Sequence, residues 1–502
     1  MNNIKRIAKN IGVSGFSQII ISLLGFVILI YIARYFGEAG FGKYSFAVSI
    51  TALLAIFTNP GIDNLIIREI SRNKKIANEY ITNAIIIKIP LCFLAFFIIV
   101  LTINLMDYPQ DIKLIVYLFG IYMILSSFTY LFFSIFQAFE KMEYTAAVMI
   151  IEKIILTLLI IFFLTQGYGL VVLANIYIIA GFICFVLSLF IVYKKILTLV
   201  GSTYNTSSYN EYYTKSAMFR RAINSSLCKT LFIGSIPFVF NNFFGIIFFH
   251  IDTIMLSVLK DDIAVGVYNA AYTPLLAITG IISYMVASAL YPVMSRQFIS
   301  SKNSLIKYTV LSSKYIAIIG LPIAVGCFLL ADRFITLFYV DQFSDSIVVF
   351  QILALFIPLR LISIITGTLL TSIDKQNMRT ISVGLSALVN IILNVGLIYY
   401  LGFIGASIAT VLSEIFLYFV FIYFIHRYYV KLELYRHFIK PMAASLIMGG
   451  FILLFIRVNL FSLVILAGLV YFIILLLINT FTQEDRDIFR QIIGKGKNNR
   501  EY

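Results

Sequence analysis

IGVSGFSQIIISLLGFVILIYIA, residues 11–33, runs without a charged side chain. About 20 such residues, wound into a helix, cross the ~30 Å apolar layer of a bilayer. Stretches of the same kind recur along the chain, giving fourteen candidate spans at about 11–33, 43–62, 81–105, 114–137, 145–165, 170–192, 231–256, 265–290, 309–331, 347–372, 380–401, 404–425, 438–456 and 460–480. The 502 residues are 61% hydrophobic and 12% charged, and mean hydropathy is +0.98. A water-soluble domain is roughly 45–50% apolar, so this composition needs lipid to cover it. The expected fold class is an all-α integral membrane protein of about fourteen transmembrane helices.

What lies between the spans is short. The longest polar stretch, at about 193–229, falls below the roughly 50 residues an independent domain needs, which argues against soluble catalytic machinery and against an enzyme. Four cysteines, Cys92, Cys184, Cys228 and Cys327, lie in or beside apolar stretches without CxxC spacing. They read as small core residues rather than as zinc ligands or a disulfide, and no metal or cofactor is expected. Lys5, Arg6 and Lys9 precede the first apolar run. That run exceeds the 7–15 residues of a signal-peptide core, and no Ala-x-Ala site follows it, so it reads as a retained span.

Net charge is +15. In a soluble protein such a balance suggests nucleic acid; here the bases sit in short loops, and no nucleic-acid partner is expected. One alternate set of loops and both tails hold 29 of the 38 Lys and Arg residues. The other set holds six (Arg34, Lys43, Lys113, Lys260, Arg333 and Arg457), and three more, Lys88, Lys153 and Arg360, fall inside spans. Such a bias places the base-rich set and both termini in the cytoplasm of a cell membrane. An even number of crossings is then required, and fourteen satisfies it.

The chain also echoes itself. Gly42-Lys43-Tyr44-Ser45-Phe46-Ala47 opens the second span, and Gly266-Val267-Tyr268-Asn269-Ala270-Ala271 opens the eighth, 224 residues later. Both read Gly-x-Tyr-x-x-Ala. A second echo relates Gly167 and Gly169 to Gly402 and Gly405. Six spans thus repeat as six in the same orientation, a parallel repeat of the kind found in secondary transporters. The expected organisation is a first lobe at 1–192, a cytoplasmic linker at 193–230, a second lobe at 231–426, an extra pair of spans at 427–480 and a cytoplasmic tail at 481–502. No GxxxxGK[ST] stretch is present, so ATP is not the expected driving force.

At this point the residues resemble a known family. SGFSQIIISLLGFVILIYIARYFGEAGFGKYSFAVSI (residues 14–50), NPGIDNLIIREISR (59–72), HIDTIMLSVLKDDIAVGVYNAAY (250–272) and LYPVMSR (290–296) are similar to segments of O-antigen-type polysaccharide flippases. That family belongs to a multidrug, oligosaccharidyl-lipid and polysaccharide exporter superfamily that also holds the lipid II flippases. The resemblance implies two six-helix lobes in a V, a cavity lined largely by spans one, two, seven and eight, and transfer of a polyprenyl-(pyro)phosphate-linked oligosaccharide. It also implies that the extra pair forms a groove for the prenyl tail. In the lipid II branch a first-span Arg helps bind pyrophosphate; here the first span is apolar around Ile28, the repeat partner of Asp252. Membrane lipids and glycan-assembly proteins are the further partners implied for what reads as a monomer.

Charges inside a bilayer cost about 2.5–3.5 kcal/mol each on insertion scales, so each needs a reason. Lys88, Lys153 and Arg360, with Arg68 and Arg296 at the ends of spans two and eight, are the candidate phosphate-binding bases of a cationic cavity. Each has a plainer role open to it. Lys88 can snorkel to headgroups, Glu152 and Lys153 can form interhelical ion pairs, Arg360 can pair with Glu414, and Arg68 and Arg296 can anchor span ends. Gln18, Asn241 and Asn242 either bind sugar or join helices. His250 is read as a packing residue, and Asp252 as a partner for a base, a proton or Na⁺. A cation-coupled multidrug antiporter of the same fold is the first alternative function, and a membrane glycosyltransferase or polymerase the second.

Overall fold

The computed structural model describes residues 2–197, 224–483 and 485. Most of the linker at 193–230 and of the tail at 481–502 therefore lies outside the described residues. In chain order the helices are α1 (Asn2–Leu54), α2 (Ile62–Arg72), α3 (Ala77–Leu105), α4 (Gln110–Ala138), α5 (Met142–Thr165), α6 (Leu170–Ile191), α7 (Ser225–Leu259), α8 (Asp262–Ser300) and α9 (Lys302–Leu329). They continue with α10 (Ala331–Tyr339), α11 (Ser346–Ala354), α12 (Phe356–Ser372), α13 (Gln376–Tyr428), α14 (Ile439–Leu454) and α15 (Leu460–Leu477). No strand occurs among the described residues. Eleven helices there are long and apolar enough to cross a membrane, and this is an all-helical, multi-pass membrane protein. In lipid a backbone must satisfy its own N–H and C=O groups, which a helix does within one segment.

Two of these helices are broken rods. α1 carries Gly37 at φ 64° and α13 carries Gly402 at φ 58°, a left-handed conformation that favours glycine. Across the second break Ser386 Oγ donates to the Ser413 carbonyl at 2.6 Å, although 27 residues separate them. A straight helix would hold those residues about 40 Å apart, so α13 folds back at Gly402 into two antiparallel arms. Another departure from one helix per span is the division of the 347–372 stretch into α11 and α12. Its physical reason is Pro358, whose ring meets the carbonyl four residues back, at Ala354, where α11 ends.

α2 was not expected as a helix of its own. Its Ile62, Leu65, Ile66 and Ile70 are buried while Arg68 and Arg72 are exposed. That buried face packs on Ala77 and Ile81 of α3 and on Leu131, Phe132 and Ile135 of α4, so α2 is part of the first bundle.

α4, α5 and α6 pack on one another and on α1, while α8, α9, α12 and α13 pack together with α7. The last pair, α14 and α15, rests on α9, where Ala444, Met448, Leu463 and Leu475 bury against Leu330 and Ile318. The two bundles meet where α1 crosses α8, and the repeated glycines are the reason. A methyl at Gly42 would collide with the backbone carbonyl of Asp262, and one at Gly266 would collide with that of Glu38. Each pair repeats the other at the offset of 224, so the contact is a pseudo-two-fold one. Small residues let helix backbones approach this closely. Phe41, Phe46, Val265, Tyr268 and Ala271 are fully buried around the crossing.

Candidate functional site: a basic cavity between the bundles

A cavity of about 770 Å³ lies beside this crossing. Its wall comes from the second arm of α1, from α4, α5 and α6 of the first bundle, and from α7, α12 and α13 of the second. The resemblance implied spans one, two, seven and eight. Spans two and seven contribute; among the described residues neither the first arm of α1 nor α8 supplies a wall residue, and the Ala264–Leu275 stretch of α8 is buried against neighbouring helices.

Three bases face the cavity: Lys153 on α5, Arg360 on α12 and Arg379 on α13. No Asp or Glu is in the wall among the described residues. Arg360 stands 4.5 Å over the Phe249 ring and 3.7 Å from Glu414. Glu414 is wholly buried behind it, so the expected ion pair is present and Arg360 also reaches the cavity. The wall between the bases is rich in hydroxyls. Tyr44 and Tyr177 share a hydrogen bond at 2.8 Å across two helices, and Tyr122, Tyr130, Thr51, Ser126 and Ser127 complete it. Asn242 and His250 line the α7 side, with His250 Nδ1 3.3 Å from Ser49 Oγ. The side chain of Asn241 lies outside what is described.

The other expected cavity bases are elsewhere. Lys88 is completely buried in the first bundle, 3.0 Å from Asp63 Oδ1, and donates to the Ser127 carbonyl at 2.8 Å. Asn59 Nδ2 donates to the same aspartate at 2.7 Å. A buried charge without a partner is heavily penalised, and here the partner comes from α2, so Lys88 faces α2 and α4 instead of the cavity. Arg68 is exposed on the polar face of α2 beside Glu69 at 2.8 Å. Arg296 is exposed near the end of α8, its Nε donating to the Pro292 carbonyl. Neither is in the cavity wall. Glu152 accepts from Tyr122 Oη at 2.8 Å, and Gln18 donates to Ser22 within α1.

Asp252 occupies a distinct polar centre inside the second bundle. Its carboxylate accepts from Tyr268 Oη at 2.8 Å, Thr410 Oγ1 at 2.7 Å and Asn394 Nδ2 at 2.5 Å. Asn390 Oδ1 lies next in the chain of contacts, 3.0 Å from Asn394 Nδ2. All five residues are buried, and no Lys or Arg among the described residues pairs with Asp252. The carboxylate is thus held by donors from α8 and both arms of α13, and every side chain at this centre carries an oxygen, the ligand atom that hard cations take. No group of three or more His, Cys, Asp or Glu side chains with metal-binding spacing occurs among the described residues. The asparagines were invisible as site residues in the sequence, where they sit as isolated polar positions in an apolar span.

Broken helices, a pseudo-symmetric bundle contact and a basic internal cavity together define a polytopic helical membrane transporter. The chain belongs to the family described as polysaccharide biosynthesis protein, whose model matches residues 7–298; the MatE model matches residues 237–395. It is 26% identical over 398 residues to the probable low-salt glycan biosynthesis flippase Agl15 of Haloferax volcanii, covering 78% of this chain and 77% of that one. Among solved structures, the lipid II flippase MurJ in an inward closed conformation superposes with a TM-score of 0.71 at 16% identity, covering 95% of this chain and 98% of the other. An inward-facing multidrug resistance MATE family transporter of the MOP superfamily superposes at 0.63 and 15%, covering 82% and 98%. These structural likenesses establish the fold.

Proposed function

We propose that this protein carries a polyprenyl-(pyro)phosphate-linked oligosaccharide across the cytoplasmic membrane by alternating exposure of the central cavity. The observation that carries the reading is the composition of the cavity wall, which among the described residues holds three bases and no acid, with tyrosine hydroxyls between them. Bases in a low-dielectric wall attract phosphate, and Arg in particular can grip it through paired N–H groups. Hydroxyls and amides suit sugar hydroxyls. Family membership and the glycan flippase relative point the same way. A cavity selective for cationic drugs would need carboxylates in its wall, which weighs against the multidrug alternative.

In this reading the two arms of α1 and of α13 are separate crossings. With the short α14 they make a fourteen-span protein with both termini cytoplasmic. Residues 1–192 and 231–426 are its two lobes, 193–230 the linker, 427–480 the added pair and 481–502 the tail. Transport is coupled to a cation, Na⁺ or H⁺, held at Asp252 with Asn390, Asn394 and Thr410. The protein acts as a carrier, with no covalent step of its own.

The test is flipping of a fluorescent lipid-linked oligosaccharide in proteoliposomes. Lys153→Gln and Arg379→Gln should each lower the rate at least tenfold, while leaving the thermal unfolding midpoint within a few degrees of wild type. Wild-type rates in both variants, or in the double variant, would overturn the reading.

A further inference from the structure

A second basic site lies far from the cavity, where the added helix pair meets α9. Here a cleft of about 360 Å³ is lined by Lys307 and Lys314 of α9, Arg436 and His437 of a short turn at Leu434–His437, Lys440 of α14, and Thr480 beyond α15. We infer that this cleft holds the phosphate headgroup of an anionic phospholipid.

Four observations converge on that ligand. The first is charge. Among the described residues two carboxylates stand against the bases: Asp485, engaged by Lys314, Tyr315 and Thr482, and Glu433, paired with the exposed Arg436 at 2.8 Å. Lys440 Nζ donates to the Asn479 carbonyl at 2.8 Å, a neutral partner that leaves its charge uncompensated. The environment remains positive, as His437 registers: burial, then Lys314 and Arg436, push its imidazole below the usual value.

The second is an unpartnered acceptor and donor. Thr480 Oγ1 sits in the cleft, 4% exposed as a residue, with no hydrogen-bond partner. Buried hydroxyls are almost always bonded, so this one lacks a group that a phosphate oxygen would supply. The third is the start of α14 at Ile439, next to Lys440 of the cleft, where the helix dipole adds partial positive charge. Its contribution is that charge alone, since the turn at Leu434–His437 leads straight into the helix and Pro441 carries no N–H.

The fourth observation separates a lipid from a soluble phosphate. Immediately beside the bases, the surfaces of α14 and α15 are apolar and outward-facing: Ile439 and Leu477 are 63% and 73% exposed, and Met442 and Leu446 follow along α14. The cleft thus lies at headgroup depth, with acyl-chain surface adjoining it. Basic pockets between transmembrane helices bind lipid phosphates in this way.

The experiment uses the full-length protein in neutral detergent. Phosphatidylglycerol, phosphatidylcholine, polyprenyl phosphate and inorganic phosphate are titrated separately, with bound lipid read by native mass spectrometry and unfolding by thermal melt. Phosphatidylglycerol should stay bound and raise the midpoint, and phosphatidylcholine and inorganic phosphate should not. Lys307→Gln/Lys440→Gln should weaken phosphatidylglycerol about tenfold or more, since each base near an anionic lipid contributes about 1 kcal/mol. Lys74→Gln/Lys75→Gln, remote from the cleft, should leave it unchanged. Should the double variant fold poorly, Lys440→Gln alone carries the same comparison. Equal retention of the two phospholipids, undiminished binding by the Lys440 variants, or preference for polyprenyl phosphate or inorganic phosphate would each overturn the assignment.

Discussion

Replacing Gly266 with Ala adds one methyl group at the point where the two bundles touch. In an exposed helix interior that change stabilises, by up to about 1 kcal/mol, through helix propensity. At this position the sign reverses. The added Cβ is aimed at the backbone carbonyl of Glu38, and a backbone atom cannot swing aside as a side-chain tip does. The helices must part by roughly 1–2 Å, and overpacking of that kind costs about 1–3 kcal/mol. That penalty falls only on the state in which α1 and α8 are in contact. A state with the bundles separated here escapes it, so the ratio of separated to closed forms should rise by about 5- to 150-fold.

Spin labels on Lys43→Cys and Asp261→Cys, either side of the crossing, would report the separation as a distance distribution. Wild type should show chiefly the short distance, and Gly266→Ala should gain a long one. Gly42→Ala should do the same by the symmetric collision with Asp262. The double variant should add little, because a crossing already opened has paid its strain. Gly280→Ala, whose methyl meets nothing within 4 Å, is the control. A Gly266→Ala distribution indistinguishable from that control would refute the idea that this contact restrains the closed form.

Three further outcomes follow from the charges. Lys88→Ala should destabilise by about 3–5 kcal/mol because it strands Asp63, and the apolar pair Lys88→Met/Asp63→Leu should restore most of the loss in a denaturant titration. Asp252→Asn should abolish any stimulation of transport by Na⁺ or by a proton gradient while substrate still binds; unchanged ion dependence would remove Asp252 from coupling. The Asp485 carboxyl, although burial pushes it up, is held below the usual carboxylate range by hydrogen bonds from Lys314, Thr482 and Tyr315. A lowered folded-state pKa stabilises above the unfolded value, near 4, and the benefit is lost as pH falls through the folded one. Hydrogen exchange at the Thr482 amide, which donates to Asp485, should therefore stay slow until strongly acidic pH, and Asp485→Asn should make it fast at neutrality.

Much of the fold was legible because lipid makes one demand, a long apolar run, that a linear pattern can state directly. The repeat was legible too, as Gly-x-Tyr-x-x-Ala twice over. Its meaning was not: only when α1 crosses α8 does each glycine meet the carbonyl of the other copy. The cavity bases were half legible. Lys153 and Arg360 announced themselves as charges inside spans, and so did Lys88, which looks identical in sequence and is spent on Asp63. Arg379 stands just outside the 380–401 span and gave no such signal, and nothing in the sequence set the cavity tyrosines apart.

Length and hydrophobicity along the chain were enough to make this protein helical and membrane-bound, since backbone hydrogen bonding in lipid leaves no local alternative. Which charges are paired and which face open space depended on residues brought together from 25, 54 or 142 positions away, as Lys88 meets Asp63, Arg360 meets Glu414 and Asp252 meets Asn394. Electrostatic pairing acts through distance in space, and that distance is set only when the helices pack.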